Sequence, residues 1–222
     1  MVKFDLLYSV LKNFYEGGLL DEFVLIGSWC QDLYRERFGN PYQIPAVTTT
    51  DADLLIPRKI KRKQFIDVAS IMEANGFVKD FDLMTGLMVF MHEDFKIEFI
   101  TDAGAKSAES IHSFKNLNLN AQELRFMSIP LSYNYVQPFR DIEIRLPEPE
   151  AFALHKLIVS GRRDNPVKAF KDIETARGFF EYFETKEEHK KRLCEIYNEF
   201  PLPWQKRINI ALKGAGLNFP SM

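Results

Sequence analysis

Three acidic residues and one glycine–serine pair carry the chemistry in this sequence. Asp51 and Asp53 lie two apart in the run TTTDADLLI (48–56), which is rich in β-formers and closed by Pro57. On a strand, residues two apart point to the same face. Two carboxylates that close repel each other unless a cation lies between them. Hard divalent ions such as Mg²⁺ take oxygen ligands and hold polyphosphates for in-line displacement. Glu98 falls in the middle of a second run, Lys96-Ile97-Glu98-Phe99-Ile100. Alternation puts Ile97 and Phe99 on one face and Lys96, Glu98 and Ile100 on the other. Placed beside the first strand, Glu98 completes a three-carboxylate cluster. Upstream, Gly27-Ser28 ends the short apolar run 22–26 and opens a helix over 29–38. Glycine lets a phosphate approach the backbone, while the free N–H groups and dipole of a helix start favour an anion. Ser28 can donate its hydroxyl to a phosphate or cap the helix.

These residues need elements to position them. Phe4, Leu7, Leu11 and Phe14 recur at helical spacing until Gly17-Gly18, which predicts an amphipathic N-terminal helix. Residues 39–45 hold one Gly and two Pro and read as a loop. The stretch 58–63 has five cations in six residues and reads as a charged entry to the next helix. That helix carries Phe65, Val68, Ala69 and Met72 on one face, with Gly76 as its cap. Residues 87–91 and 95–100 form a hairpin across His92-Glu93-Asp94. The region 103–137 is poorly patterned, with a strand expected near 124–129, whereas DIEIRL (141–146) alternates as a strand. Beyond Pro147 and Pro149 the segments 150–160, 167–183, 186–200 and 203–212 are helical in pattern. The class is therefore α+β, with one domain over 1–146 and a helical domain over 147–222.

The helical part adds cations. A triphosphate needs positive charge as the pyrophosphate leaves. Lys156 is the first candidate for that role, with Arg162 and Arg163 next. His155 reads as a packed helix histidine, and Trp29 and Cys30 read as core. The 222 residues are 46% hydrophobic and include 20 Phe and 8 Tyr, enough to build a core. With 29 basic and 31 acidic residues, whole-molecule attraction to nucleic acid or to an anionic membrane is not indicated. Two Cys form neither a disulfide framework nor a metal-ligand spacing, which fits a reducing compartment. No apolar run approaches the roughly 18 residues of a membrane span. The N-terminus has acids where a signal peptide has its apolar centre, so a cytoplasmic location is expected.

Ile26-Gly27-Ser28, then Asp51-Ala52-Asp53-Leu54, then Glu98 resembles the signature of the DNA polymerase β-like nucleotidyltransferase superfamily. The stretch 146–176 is similar to a bacterial group of predicted nucleotidyltransferases within it, and the likeness spans roughly 20–180. Two features depart from the superfamily's pattern: a longer gap between Ser28 and Asp51 than in its shortest forms, and Glu as the third acid where Asp is common. The resemblance implies a mixed β-sheet core with flanking helices, followed by a C-terminal helical region. It implies Asp51 and Asp53 as ligands of two Mg²⁺ ions. It further implies that Glu98 activates the acceptor hydroxyl and that Gly27 and Ser28 bind the triphosphate. The implied activity is transfer of NMP from an NTP to a hydroxyl of tRNA, a protein or a small molecule. The alternative is a nucleotidyltransferase-fold protein that binds a nucleotide or a partner without turnover, as in a toxin–antitoxin pair.

Overall fold

The computed structural model describes residues 2–46, 49–93, 95–104 and 110–219. Thr48 and Asp94, which fall within expected elements, lie outside the described residues. Packing divides the chain into two units, Met1–Cys30 with Thr48–Pro147, and Gln31–Val47 with Glu148–Met222.

The first unit opens with α1 (Val2–Glu16), whose Leu7, Val10, Leu11 and Phe14 are fully buried, as their spacing requires. Two antiparallel strands follow, β1 (Val24–Ile26) and β2 (Asp51–Ile56), separated by α2 (Ser28–Arg37) and a loop. Then come α3 (Val68–Ala74), β3 (Val78–Phe81), β4 (Met88–His92) and β5 (Phe95–Asp102). The unit is completed by β6 (Ile111–Phe114), β7 (Leu119–Leu124), α4 (Ser128–Ser132), β8 (Asn134–Phe139) and β9 (Ile142–Pro147). Seven strands form one mixed sheet in the order β1-β2-β5-β4-β3, with β7 and then β6 continuing from the far half of β5. β2 and β5 run parallel at its centre, while β8 and β9 make a separate hairpin. Ala52, Leu54, Ile97 and Phe99 are fully buried on one face of the central pair, and Phe14 and Phe23 pack against Phe99 there.

Several details differ from the sequence expectation. Phe65 is 59% exposed and precedes α3, which starts after its N-cap Asp67 accepts from Ser70 N–H. Gly76 does follow that helix; its N–H donates to Glu73 O, and Phe77 N–H donates to Met72 O. No strand forms over 124–129. Instead β7 ends at Leu124, and α4 brings Met127 and Ile129 into the core. β7 hides its alternation because its inward residues are Leu119, Ala121 and Glu123. Glu123 is buried with Arg58 paired to it at 2.5 Å and Ser110 donating to it, as a buried carboxylate requires. β3 is the outermost strand on its side of the sheet, exposed at all four residues, and Phe81 N–H donates to the Asp80 carboxylate at 2.8 Å.

The second unit comprises α5 (Pro149–Ser160), α6 (Pro166–Glu184), α7 (Glu187–Glu199) and α8 (Leu202–Ala215). Pro149 and Pro166 occupy the first helical turn, where a missing N–H costs nothing. Residues 31–47, which the sequence reading keeps in the first domain, pack in this unit. Gln31 donates to Pro45 O at 2.7 Å, and Thr175 donates to Gln31 Oε1 at 3.3 Å. Tyr34 sits edge-on to Phe152 and Phe179. Gly178 leaves room for the Gln43 carbonyl, which a Cβ would overlap, and for the Pro45 ring, which it would crowd. Replacing Gly178 by Ala is expected to lower stability by about 2–3 kcal/mol in urea unfolding, because the obstruction is backbone and cannot swing away. An unchanged midpoint would contradict this close approach.

Candidate active site

The site begins with the register of two strands. β2 and β5 pair in parallel with Asp51 opposite Lys96, Ala52 opposite Ile97, and Asp53 opposite Glu98. Opposite residues on paired strands share a face, so Asp51, Asp53, Lys96 and Glu98 project together while Ala52 and Ile97 turn into the core. β1 supplies the other border, with Ile26 opposite Asp53. The chain turns sharply at Gly27, whose φ is +77°. The backbone conformation favours glycine at this position, and a Cβ there would also push the Asp53 carboxylate aside. Ser28 follows as the first residue of α2, whose first turn carries no acidic side chain to offset its dipole.

Further groups fix the acids. Trp29 is buried in the first turn of α2 and donates its Nε1–H to Asp51 O at 2.9 Å. Its ring lies edge-on to Phe4 and to Phe95, the first residue of β5. The same side chain therefore ties together the starts of α2, β2 and β5. Thr49 donates its hydroxyl to Asp51 Oδ1 at 2.6 Å. Lys96 Nζ stands 2.7 Å from Glu98 Oε1. Farther along, the same face becomes apolar: Val24, Ile26, Leu55, Ile100 and Met127 form a buried cluster against Leu124 and Leu131.

The structure thus brings Gly27, Ser28, Asp51, Asp53 and Glu98 into one neighbourhood of the first unit. Among the described residues no three His, Cys, Asp or Glu side chains converge into a ready metal cage. The donor set is nonetheless all oxygen, lies on one face and is in register, which is the chemistry a hard divalent cation takes. Lys96, Thr49 and Trp29 are neighbours of these acids that the sequence reading did not assign to the site. Lys96 carried a signal, since alternation already puts it on the Glu98 face. Thr49 lies two before Asp51, the same relation. The hydrogen bond of Trp29 had none, because a buried aromatic reads as packing.

Lys156, Arg162 and Arg163 belong to the second unit. Lys156 Nζ and Arg163 Nε each lie 2.7 Å from opposite oxygens of Asp172, a nearly buried carboxylate. Burial alone would push Asp172 up, but the charges and hydrogen bonds of Lys156 and Arg163 outweigh it and hold the carboxyl below its ordinary value. Next to this triad, burial, with help from the Lys156 charge, pushes His155 down to about 3. Its Nε2 is sealed from solvent without a hydrogen-bond partner. His155 is therefore a neutral packed histidine.

This arrangement, a glycine turn and helix start beside an acid–x–acid strand with a third acid on the parallel neighbour, defines a nucleotidyltransferase-type fold. Residues 6–200 match the sequence model of a family described as Nucleotidyltransferase, and the chain belongs to that family. Its structure resembles ANT(2'')-Ia in complex with adenylyl-2''-tobramycin, with a TM-score of 0.50 and 15% identity over 90% of this chain and all of that one. At this identity the likeness is one of fold alone. The solution structure of the same resistance factor aligns at TM-score 0.49 and 15% identity, covering 97% of each chain. An antigenic nucleotidyltransferase-like protein from Paracoccidioides brasiliensis aligns at 0.47 and 13%, covering 93% of this chain and 88% of that one. No protein of curated function matches the chain in sequence. No helix among the described residues is long and apolar enough to cross a membrane.

Two measurements check this geometry. Trp29→Phe keeps the ring packing but loses the bond to Asp51, and is expected to cost about 1–2 kcal/mol of stability. His155 in the folded chain binds a proton only near pH 3, against 6.5 for an ordinary histidine. The unfolded chain thus holds more protons between those values, and stability falls as pH drops through that window. Urea unfolding at pH 7 and pH 5 should differ by about 1–2 kcal/mol from this group, and His155→Leu should remove that part of the difference.

Proposed function

We propose that the protein is an Mg²⁺-dependent nucleotidyltransferase that moves an NMP group from an NTP to an acceptor hydroxyl. The observation that carries this reading is the in-register opposition of Asp53 and Glu98, with Asp51 on the same face beside the Gly27 turn. Asp51 and Asp53 would hold two Mg²⁺ ions, with Glu98 completing the cluster; bound there, the ions would supply charge neutralisation and orientation to the polyphosphate. The Gly27-Ser28 turn and the first N–H groups of α2 accept the triphosphate, aided by the helix dipole. Glu98 takes the proton of the acceptor hydroxyl. The acceptor oxygen then bonds to the α-phosphorus as the bond to the β-bridging oxygen breaks, and pyrophosphate departs with that electron pair. The apolar cluster from Val24 to Met127 closes one end of this face to water and strengthens the electrostatics beside it. Lys156, Arg162 and Arg163 are the cations for nucleotide phosphate, with Asp172 anchoring Lys156 and Arg163.

The test is calorimetric titration of ATP, CTP, GTP and UTP in Mg²⁺ into the wild type and the Asp51→Ala/Asp53→Ala variant, followed by incubation of α-labelled NTP with tRNA or lysate. Binding by the wild type, at least tenfold weaker in the variant, together with a labelled acceptor and free pyrophosphate, is the expected outcome. Equal binding by both proteins, or by neither, overturns the reading. Binding without any labelled acceptor reduces it to nucleotide recognition.

A further inference from the structure

The carboxylate face contains a positive charge that the proposed chemistry does not use. Lys96 lies opposite Asp51 in the β2–β5 register and, two residues before Glu98, on the same face as that acid. Its ammonium reaches Glu98 Oε1 at 2.7 Å, with about a third of the lysine side chain and a quarter of the glutamate side chain accessible. Met91 of β4 is its cross-strand partner on the other side and offers no charge. Asp82, in the turn between β3 and β4, lies within its electrostatic reach. Asp51 takes a hydrogen bond from Thr49 and faces Lys96 across the strand pair.

We propose that Lys96 is the resident counter-ion of this face, occupying Glu98 until a divalent cation displaces it. This inference rests on the metal-site reading above. Asp51, Asp53 and Glu98 together carry three negative charges, and parallel pairing holds their backbones only about 4.8 Å apart. Without metal, that concentration of charge opposes folding of the sheet centre. Lys96 lowers the net charge from −3 to −2 and engages the oxygen of the third acid. A flexible four-carbon stem suits the role, since a lysine can let go of Glu98 and swing outward without backbone movement. A metal ion must therefore win Glu98 from Lys96 and enter against a like charge, so Lys96 weakens metal affinity while it stabilises the metal-free protein. In a merely solvated strand pair neither property would depend on Lys96.

Mn²⁺ binding to the metal-free, nucleotide-free protein, read by the electron paramagnetic resonance of the free ion, tests this directly. Lys96→Met should bind Mn²⁺ about tenfold more tightly than wild type, the factor for roughly 1.4 kcal/mol of lost competition. Lys96→Arg, which keeps the cation, should stay within about twofold of wild type. In parallel, melting followed by circular dichroism should show Lys96→Met lowered without metal and recovered by Mn²⁺ more than wild type. Lys96→Gln replaces Lys96→Met if the latter does not fold. Asp53→Asn separates the two readings. If wild type binds Mn²⁺ no better than Asp53→Asn, the metal site itself falls and this inference with it. If Asp53→Asn loses binding while Lys96→Met matches or falls below wild type, only the counter-ion role is overturned.

Discussion

One electrostatic conflict organises the first unit: Asp53 and Glu98 stand opposite each other across a parallel strand pair, with Asp51 two residues away. Two like charges about 5 Å apart at an effective dielectric near 20 repel by about 3 kcal/mol. Parallel register admits no relaxation by slipping, because a one-residue shift would drive Ala52, Leu54, Ile97 and Phe99 out of the core. The apolar face therefore fixes where the acids stand, and the surroundings have to accommodate them. Thr49 donates to Asp51, Lys96 pairs with Glu98, and Gly27 surrenders its side chain so that the Asp53 carboxylate has room. Trp29 adds the mechanical part by holding the first residue of β2 through its backbone carbonyl.

Much of this was readable from residues alone, for a physical reason. Strand periodicity assigns faces without knowledge of the partner, so the shared face of Asp51 and Asp53 and that of Lys96 and Glu98 follow from spacing. Which strands are neighbours does not, and the β2–β5 pairing came only with the fold. The N-terminal and C-terminal helices were legible because their apolar positions repeat at helical spacing. The middle of the chain was not. Glu123 occupies an inward position of β7 and breaks the apolar alternation, and its partner Arg58 lies 65 residues away in the chain. α4 is five residues long, with Pro130 inside it, and leaves little periodic trace. The membership of residues 31–47 in the helical unit depends on a missing side chain at Gly178 and a buried Gln31, both silent in a hydrophobicity pattern.

The helical unit solves a similar problem with the signs reversed. Lys156 and Arg163 would repel at close quarters, and Asp172 holds both by giving one oxygen to each. Charge beside a histidine has its own effect: His155, next to Lys156 and shielded from water, stays neutral at physiological pH. Both cations are thus oriented by one carboxylate. Truncating Asp172 would release both of them and leave a polar hole in the helix packing.

The outer strand β3 has a consequence for how the molecule behaves in company. Its neighbours Leu83 and Met84 are almost wholly exposed at the hairpin tip, and Val78 is exposed on the strand itself. Sticky side chains beside a bare backbone edge normally invite strand-to-strand stacking and, with time, fibrils. Here the amide of Phe81 is already spoken for by the adjacent Asp80 side chain, and an incoming strand would meet that negative charge first. Oily residues are thus displayed beside a strand edge on which the Phe81 amide is already bonded within its own chain, so a strand adding there would find one donor of its ladder taken.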